Sequence, residues 1–274
     1  MTKSIEIDRS KRLRDEPHKG HNRWHPDIQP VIEVVAGEEV ALETRDANDL
    51  QINSRTTIKD LEKLERTVAH PLTGPVYVKG AEPGDLLEIE YLDIVPERYG
   101  WTRFAPGGGF LPDLFDHHFV AHWDITPEYA TSPQLPGVRI PNGAFMGTAG
   151  VAPSHDQLRA WSLREEELRS RGGRVFPPDP NGSVPQGKIA LEGLRTIPPR
   201  ENCGNADVKQ LTRGSRLFVP VAVDGALYSV GDGHYAQGDS ECCGTAIEMG
   251  ATAHLRFKLH KGEAARRFRL GHAG

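Results

Sequence analysis

A chain of 274 residues with 33 Lys and Arg against 38 Asp and Glu, and a formal net charge of -5, has no basic excess with which to hold a polymeric anion. Its cations form no stripe and no amphipathic helix, no apolar run approaches the ~20 residues of a membrane span, and the opening Met1-Thr2-Lys3-Ser4-Ile5-Glu6 lacks the apolar core of a signal peptide. No nucleic-acid or membrane partner is expected, the expected location is cytoplasmic, and the length permits one large domain or two small ones with a core that needs no staples.

The 29 Gly and 21 Pro, spread singly, favour many short strands joined by turns over a helical bundle. In chain order, 31–35 and 40–44 flank Ala36-Gly37-Glu38-Glu39 and predict a hairpin. Thr57 can cap a short helix that carries Ile58, Leu61 and Leu64 on one side, with Asp60 three residues after the cap. A short strand is predicted at 76–78, and Leu87, Ile89 and Tyr91 alternate with Glu88, Glu90 and Leu92 as a further strand. Long Pro- and Gly-rich connections fill 96–190, interrupted by a helix from Ser154 to Arg171. Ser154-x-x-Gln157 and Ser162-x-x-Glu165 both read as capping boxes there, and Gly172-Gly173 closes the end. A second hairpin is predicted from 216–223 and 226–230 around Asp224-Gly225. Near the end, Ala253, Leu255, Phe257 and Leu259 face one way and His254, Arg256, Lys258 and His260 the other, as in an antiparallel strand wet on one side. These elements divide the chain into an N-terminal β portion (1–95), a loop-rich middle (96–190) and a C-terminal β portion (191–274). All three could still form one intertwined domain.

The chemistry concentrates in Ser229-Val-Gly-Asp-Gly-His-Tyr-Ala-Gln-Gly-Asp-Ser-Glu-Cys-Cys-Gly-Thr-Ala-Ile-Glu248. Asp232, His234, Asp239, Glu241 and Glu248 are oxygen or imidazole ligands set among glycines, directly after the second predicted hairpin. Gly, Asp and Ser are also ordinary turn residues, so any one of these acids alone carries little. A weaker set lies in 202–211, where Asp207 could serve as ligand or base, Asn205 could donate to a carbonyl and Lys209 could neutralise an acid. Asp46, Asp49 and His70 form a third, scattered set. Cys203, Cys242 and Cys243 make an odd count with no Cys-x-x-Cys pair, so neither a disulfide framework nor a structural zinc site is implied. A thiol nucleophile at Cys242 or Cys243 is the minor alternative to burial of these side chains. A mixed Asp and His site with an open position suits zinc, an oxygen-rich one calcium or magnesium, and these residues permit either.

Three stretches carry a family resemblance. They are His70-Pro-Leu-Thr-Gly-Pro-Val-Tyr-Val-Lys-Gly-Ala-Glu-Pro-Gly-Asp85; Asn202-x-Gly-Asn-x-Asp207 with Leu211-Thr-Arg-Gly214; and Ser229-Val-Gly-Asp-Gly-His-x-Ala-Gln-Gly-Asp-x-Glu241 with Cys243-Gly-Thr-Ala-Ile-Glu248. The chain resembles the acetamidase/formamidase family from about residue 22 to 260, most weakly between 96 and 190. The resemblance implies a mainly β fold of sandwich or jelly-roll character, with antiparallel sheets and a few short helices. It further implies metal-dependent hydrolysis of a small carboxamide and a homo-oligomer, dimer or larger. Carried over by motif, Asp207, Asp232 and His234 are expected to hold the metal, with Asp46 or His70 completing the shell. Glu241, Asp239 and Lys209 are expected in catalysis, with Glu241 the base, and Asn205, His70 and Gly233 against the substrate. Cys203 stands where the family commonly has glycine and Cys242 where valine is usual, which adds side chains beside two motifs. Cyclic amides (lactams) are the alternative substrates, and a non-catalytic calcium-binding β-sandwich module is the alternative of another class.

Overall fold

The computed structural model describes residues 2–267. Strands account for 35% and helices for 13% of it. The first strands are β1 (Lys3–Ile5), β2 (Gly20–His21), β3 (Arg23–Trp24), β4 (Ile32–Val35), β5 (Glu39–Thr44), β6 (Leu72–Lys79) and β7 (Leu86–Phe104). β8 (Phe119–Ile125), β9 (Tyr129–Thr131), β10 (Ile140–Pro141) and β11 (Phe145–Gly150) follow, so strands run through the middle of the chain. The remainder are β12 (Leu194–Arg195), β13 (Cys203–Asn205), β14 (Arg216–Pro220), β15 (Tyr228–His234) and β16 (Glu248–His260). The α-helices are α1 (Ile58–Leu61), α2 (His155–Ser170), α3 (Lys188–Glu192) and α4 (Ala264–Arg267); none is long and apolar enough to cross a membrane.

Strand pairing divides the main sheet into two leaves. One is built on β7 and β16, antiparallel over most of their lengths, with β14 on β7 and β5 then β1 on β16. The other runs β4, β6, β15, β11, β13. The inward side chains of both meet in one core that includes Val34, Leu42, Val76, Ile89, Tyr91, Tyr228, Val230, Leu255 and Phe257. The Tyr228 and Phe257 rings, one from each leaf, meet edge to face at 5.2 Å. Among the described residues the leaves join at one place: β15 pairs with β6 through Gly231 and Leu72, then changes partner and pairs with β16 through Gly233 opposite Met249 and His234 opposite Glu248. The change falls at Asp232, where β6 and β16 diverge and leave a crevice.

The alternating strands appear as their spacing predicts. Leu87, Ile89, Tyr91, Ala253, Leu255 and Phe257 are all fully buried, whereas Lys258 is exposed. Both short helical signals also hold. The Thr57 and Ser154 boxes are formed, Gln157 N–H donating to Ser154 Oγ at 3.2 Å. Ser162 does not start a second helix but sits inside α2 and donates to the Leu158 carbonyl.

Neither predicted hairpin forms. β4 pairs parallel with β6 in one leaf, while β5 pairs with β16 and β1 in the other, so residues 36–38 cross between leaves, Gly37 N–H donating to Phe257 O at 2.8 Å. β14 lies on β7, and β15 lies between β6 and β11. Asp224-Gly225 does turn the chain, but it docks on Ala81, whose carbonyl accepts from Gly225 N–H at 2.8 Å. A Cβ on Gly225 would come within 2.1 Å of the Tyr77 ring. Alternation reports that a strand has one buried face; it does not report the strand with which it pairs.

Candidate active site

Six side chains converge on the crevice, brought by five segments. Asp232 and His234 are two apart on β15 and so share a face, and Glu248 at the start of β16 lies opposite His234 in register. Asp207 follows β13, His70 precedes β6, and Glu241 comes from the connection between β15 and β16. Asp207, Asp232 and Glu241 have φ values of 46°, 58° and 44°, in the left-handed region where a side chain costs about 1–2 kcal/mol. Strain of this kind is retained where surrounding structure enforces it, and it collects at functional sites.

The distances are those of a tight cluster. His234 Nε2 lies 3.4 Å from Asp232 Oδ1 and 3.2 Å from Glu248 Oε2, and its Nδ1 lies 3.9 Å from Asp207 Oδ1. His70 Nδ1 is 3.2 Å from Asp232 Oδ2. The Thr148 hydroxyl on β11 is 2.8 Å from Asn205 Oδ1 and 3.0 Å from Asp232 Oδ2, and its single proton serves one of them at a time. Ligand atoms of Asp207, Asp232 and His234 all lie within 4.8 Å of one another, as do those of His234, Glu241 and Glu248.

Burial raises the Asp207 carboxyl to about 7, helped by the Asp232 charge. Burial likewise raises Glu241 to about 8, with the Glu248 and Asp207 charges adding to it. Burial opposes charge on Asp232 too, but the His70 and His234 rings outweigh it and hold this carboxyl well below the usual range. For His234 burial favours the neutral ring, and the Glu248 and Asp232 carboxylates override it and raise its pKa.

The cluster's four carboxyl groups, Asp207, Asp232, Glu241 and Glu248, outnumber its two imidazoles. Asp207 Oδ1, Asp232 Oδ1, His234 Nδ1 and Glu248 Oε2 are buried with no hydrogen-bond partner. Buried polar atoms are nearly always satisfied, so four orphans in one cluster, three of them carboxylate oxygens, fit a group that is itself a cation. Gly147 on β11 keeps the space open: a Cβ there would come within 2.5 Å of Asp207 Oδ1 and 2.7 Å of His234 Cε1. A contrasting group, His25, Asp27 and His155, also lies within ligand distance, but its atoms are engaged. His155 Nε2 is 2.9 Å from Asp27 Oδ1, and His25 Nε2 is 2.8 Å from Glu192 Oε1.

The remaining residues singled out in the sequence lie around this cluster or away from it. Asp46 is buried, but its two oxygens accept from the Asn48 and Leu50 backbone amides at 2.9 and 3.0 Å. It therefore shapes the turn after β5, and burial raises its carboxyl to about 7. Asn205 lines the cavity with its amide nitrogen donating to the Ile197 carbonyl at 2.9 Å. Gly233 turns away from Asp232 and His234, and its missing Cβ allows β16 to approach. Lys209 and Asp239 form an ion pair with the Asp239 side chain 87% exposed, so neither joins the cluster. Cys242 is exposed, and the Cys243 thiol donates to the Thr245 carbonyl.

Sequence reasoning missed Asn48, Thr148 and Gly147. Asn48 lines the cavity with its Nδ2 buried and without a partner, a donor available to a ligand. The cavity over the cluster measures about 580 Å³.

The model of the acetamidase/formamidase family matches residues 6–271. An acetamidase of Mycolicibacterium smegmatis is 41% identical over 284 residues, covering 93% of this chain and 70% of the relative. A formamidase of Methylophilus methylotrophus is 36% identical, covering 95% of this chain and 69% of its own length. Among solved structures, a gamma lactamase from Delftia acidovorans superposes with a TM-score of 0.91 at 38% identity, covering 97% of this chain and 70% of that one. An acetamidase from Bacillus halodurans gives 0.71 at 27% identity, with 89% and 69% covered.

Proposed function

Because the chain belongs to the acetamidase/formamidase family, we propose that it hydrolyses a small carboxamide to a carboxylate and ammonia with a divalent cation, zinc before calcium, held by Asp207, Asp232 and His234. The enzyme is a hydrolase of the C–N bond of linear amides, the class of its acetamidase and formamidase relatives. The observation that carries the cation is the set of four partnerless buried atoms, three of them on these residues and the fourth on Glu248. The imidazole in the set favours zinc, since calcium selects oxygen ligands.

When bound, such a cation polarises a carbonyl and makes water a stronger acid. The chain's own groups do the rest. Glu241 adjoins His234 and Glu248 at the cavity wall, where a carboxylate can take the proton of the attacking water and return it to the departing nitrogen. His70 and Thr148 hold Asp232 from its far oxygen and so fix its orientation. Asn48 Nδ2 offers a hydrogen bond to the amide oxygen.

Ammonia release from formamide, acetamide and propionamide, and amino-acid formation from a γ-lactam panel, by zinc-loaded enzyme test the reading. Release from linear amides is expected; ring opening alone would favour the lactam alternative that the 0.91 superposition on a gamma lactamase supports. Gly147→Ala is expected to lower turnover about 10²-fold, the cost of a displacement of about 1 Å, with the melting temperature nearly unchanged. Undiminished turnover would show that Asp207 and His234 do not need that space.

A further inference from the structure

The cavity has a second pole that hydrolysis of formamide or acetamide leaves unused. Arg66, Arg103, Arg174 and Arg195 all line it. Arg66 lies just ahead of His70, Arg103 on β7, Arg174 after α2 and Arg195 on β12. Among the described residues none of the four makes an ion pair, whereas Arg12, Arg45, Arg200, Arg216 and Arg256 each do.

Arg195 is 8% exposed, and its Nε, like that of Arg103, is buried with no hydrogen-bond partner. The two guanidiniums that flank the Phe176 ring, Arg174 and Arg195, lie 5.5 and 5.6 Å from its centroid, and Arg103 lies 5.9 Å from that of Trp101. Burial and the neighbouring Arg66 charge both lower the Arg103 pKa, so these cations burden one another. The acids that act on them, Glu248 on Arg103 and Asp179 on Arg195, do so through space without pairing. Arg103 and Arg195, each with a buried orphan Nε and no ion-paired acid, are costly unless an anion arrives. Guanidinium forks match carboxylate oxygens in particular.

We propose that the substrate is the monoamide of a short dicarboxylic acid, its amide over the Asp207, Asp232 and His234 cluster and its carboxylate on the arginine pole. The inference rests on the amidase reading and deepens it. Water oxygen bonds to the amide carbon, the C–N bond breaks, and nitrogen carries off both water protons and leaves as ammonium. The product is the dicarboxylate, which the same arginines hold. The cavity volume of about 580 Å³ accommodates this bipolar ligand, and the aromatic faces of Trp101 and Phe176 flank its chain.

The test compares kcat/KM of the zinc-loaded enzyme for malonamate, succinamate and glutaramate with that for neutral primary amides of the same length. At least one anionic amide is expected to exceed its neutral counterpart by about tenfold or more, the worth of one charge-assisted hydrogen bond. Arg103→Gln and Arg174→Gln are each expected to cut that ratio by a similar factor. Arg174 is exposed, so its replacement leaves the fold intact. Free succinate or glutarate is expected to compete with substrate in the parent enzyme and more weakly in both variants. Turnover of neutral amides with no anionic preference, or a preference that both variants retain, overturns the inference while the amidase reading stands. Ammonia release from neither series overturns both.

Discussion

Glu241→Gln is expected to keep the bound cation and to lose between about 10² and 10⁴ in kcat, the usual worth of a positioned general base. The substitution preserves shape, and the left-handed backbone at this position, φ 44°, is no harder for Gln than for Glu. Gln237 Nε2 donates to Glu241 Oε2 at 3.0 Å, and the amide oxygen of the substituted side chain can accept that bond in its place. What disappears is the ability to receive a proton. Elemental analysis alongside steady-state kinetics checks both halves: metal retained with turnover lost fits a base, whereas metal lost together with turnover would make Glu241 a ligand.

Asp232→Asn carries the largest expected effect, loss of cation and of turnover by more than about 10³-fold, with about 3–5 kcal/mol of stability lost in the cation-free protein. Asp232 is 2% exposed and sits between two imidazoles, His70 at 3.2 Å and His234 at 3.4 Å. Removing its charge leaves His70 without its main counter-ion and His234 with Glu248 alone. Asn tolerates the φ of 58° as well as Asp does, so the loss reports the carboxylate and not the backbone. Denaturant unfolding and metal analysis of the same preparation measure it. A variant that binds zinc like the parent would remove Asp232 from the ligand set.

The parts of the site legible in the sequence are those a single segment carries. Asp232 and His234 stand two apart after a run of strand residues, and period two alone puts them on one face. Asp207 is visible as an acid beside Gly204 and Asn205, and the structure brings it to His234. Glu248 has the right chemistry but no role that the sequence assigns, because its meeting with His234 depends on the register of β15 against β16, which the long connection between them does not encode locally. Gly147 and Thr148 carry no motif, and β11 reaches the site only through pairing with β15. The four arginines come from four separate segments, so no spacing could announce them. Asp46 illustrates the opposite case, since an Asp that caps its own turn looks in sequence like one that holds a metal. The hairpin errors share this origin: burial patterns fix which face of a strand is inside, while the exchange of partners between leaves is a long-range matter.

The central claim, that a cation in this cluster drives amide hydrolysis, is met most directly by ammonia release from acetamide before chelation, after it, and after stoichiometric zinc is returned. Activity is expected to vanish with the metal and to come back with about one equivalent per chain, since Asp207, Asp232 and His234 together would supply the three protein ligands of one catalytic zinc. Full activity in chelated, metal-free enzyme would contradict it.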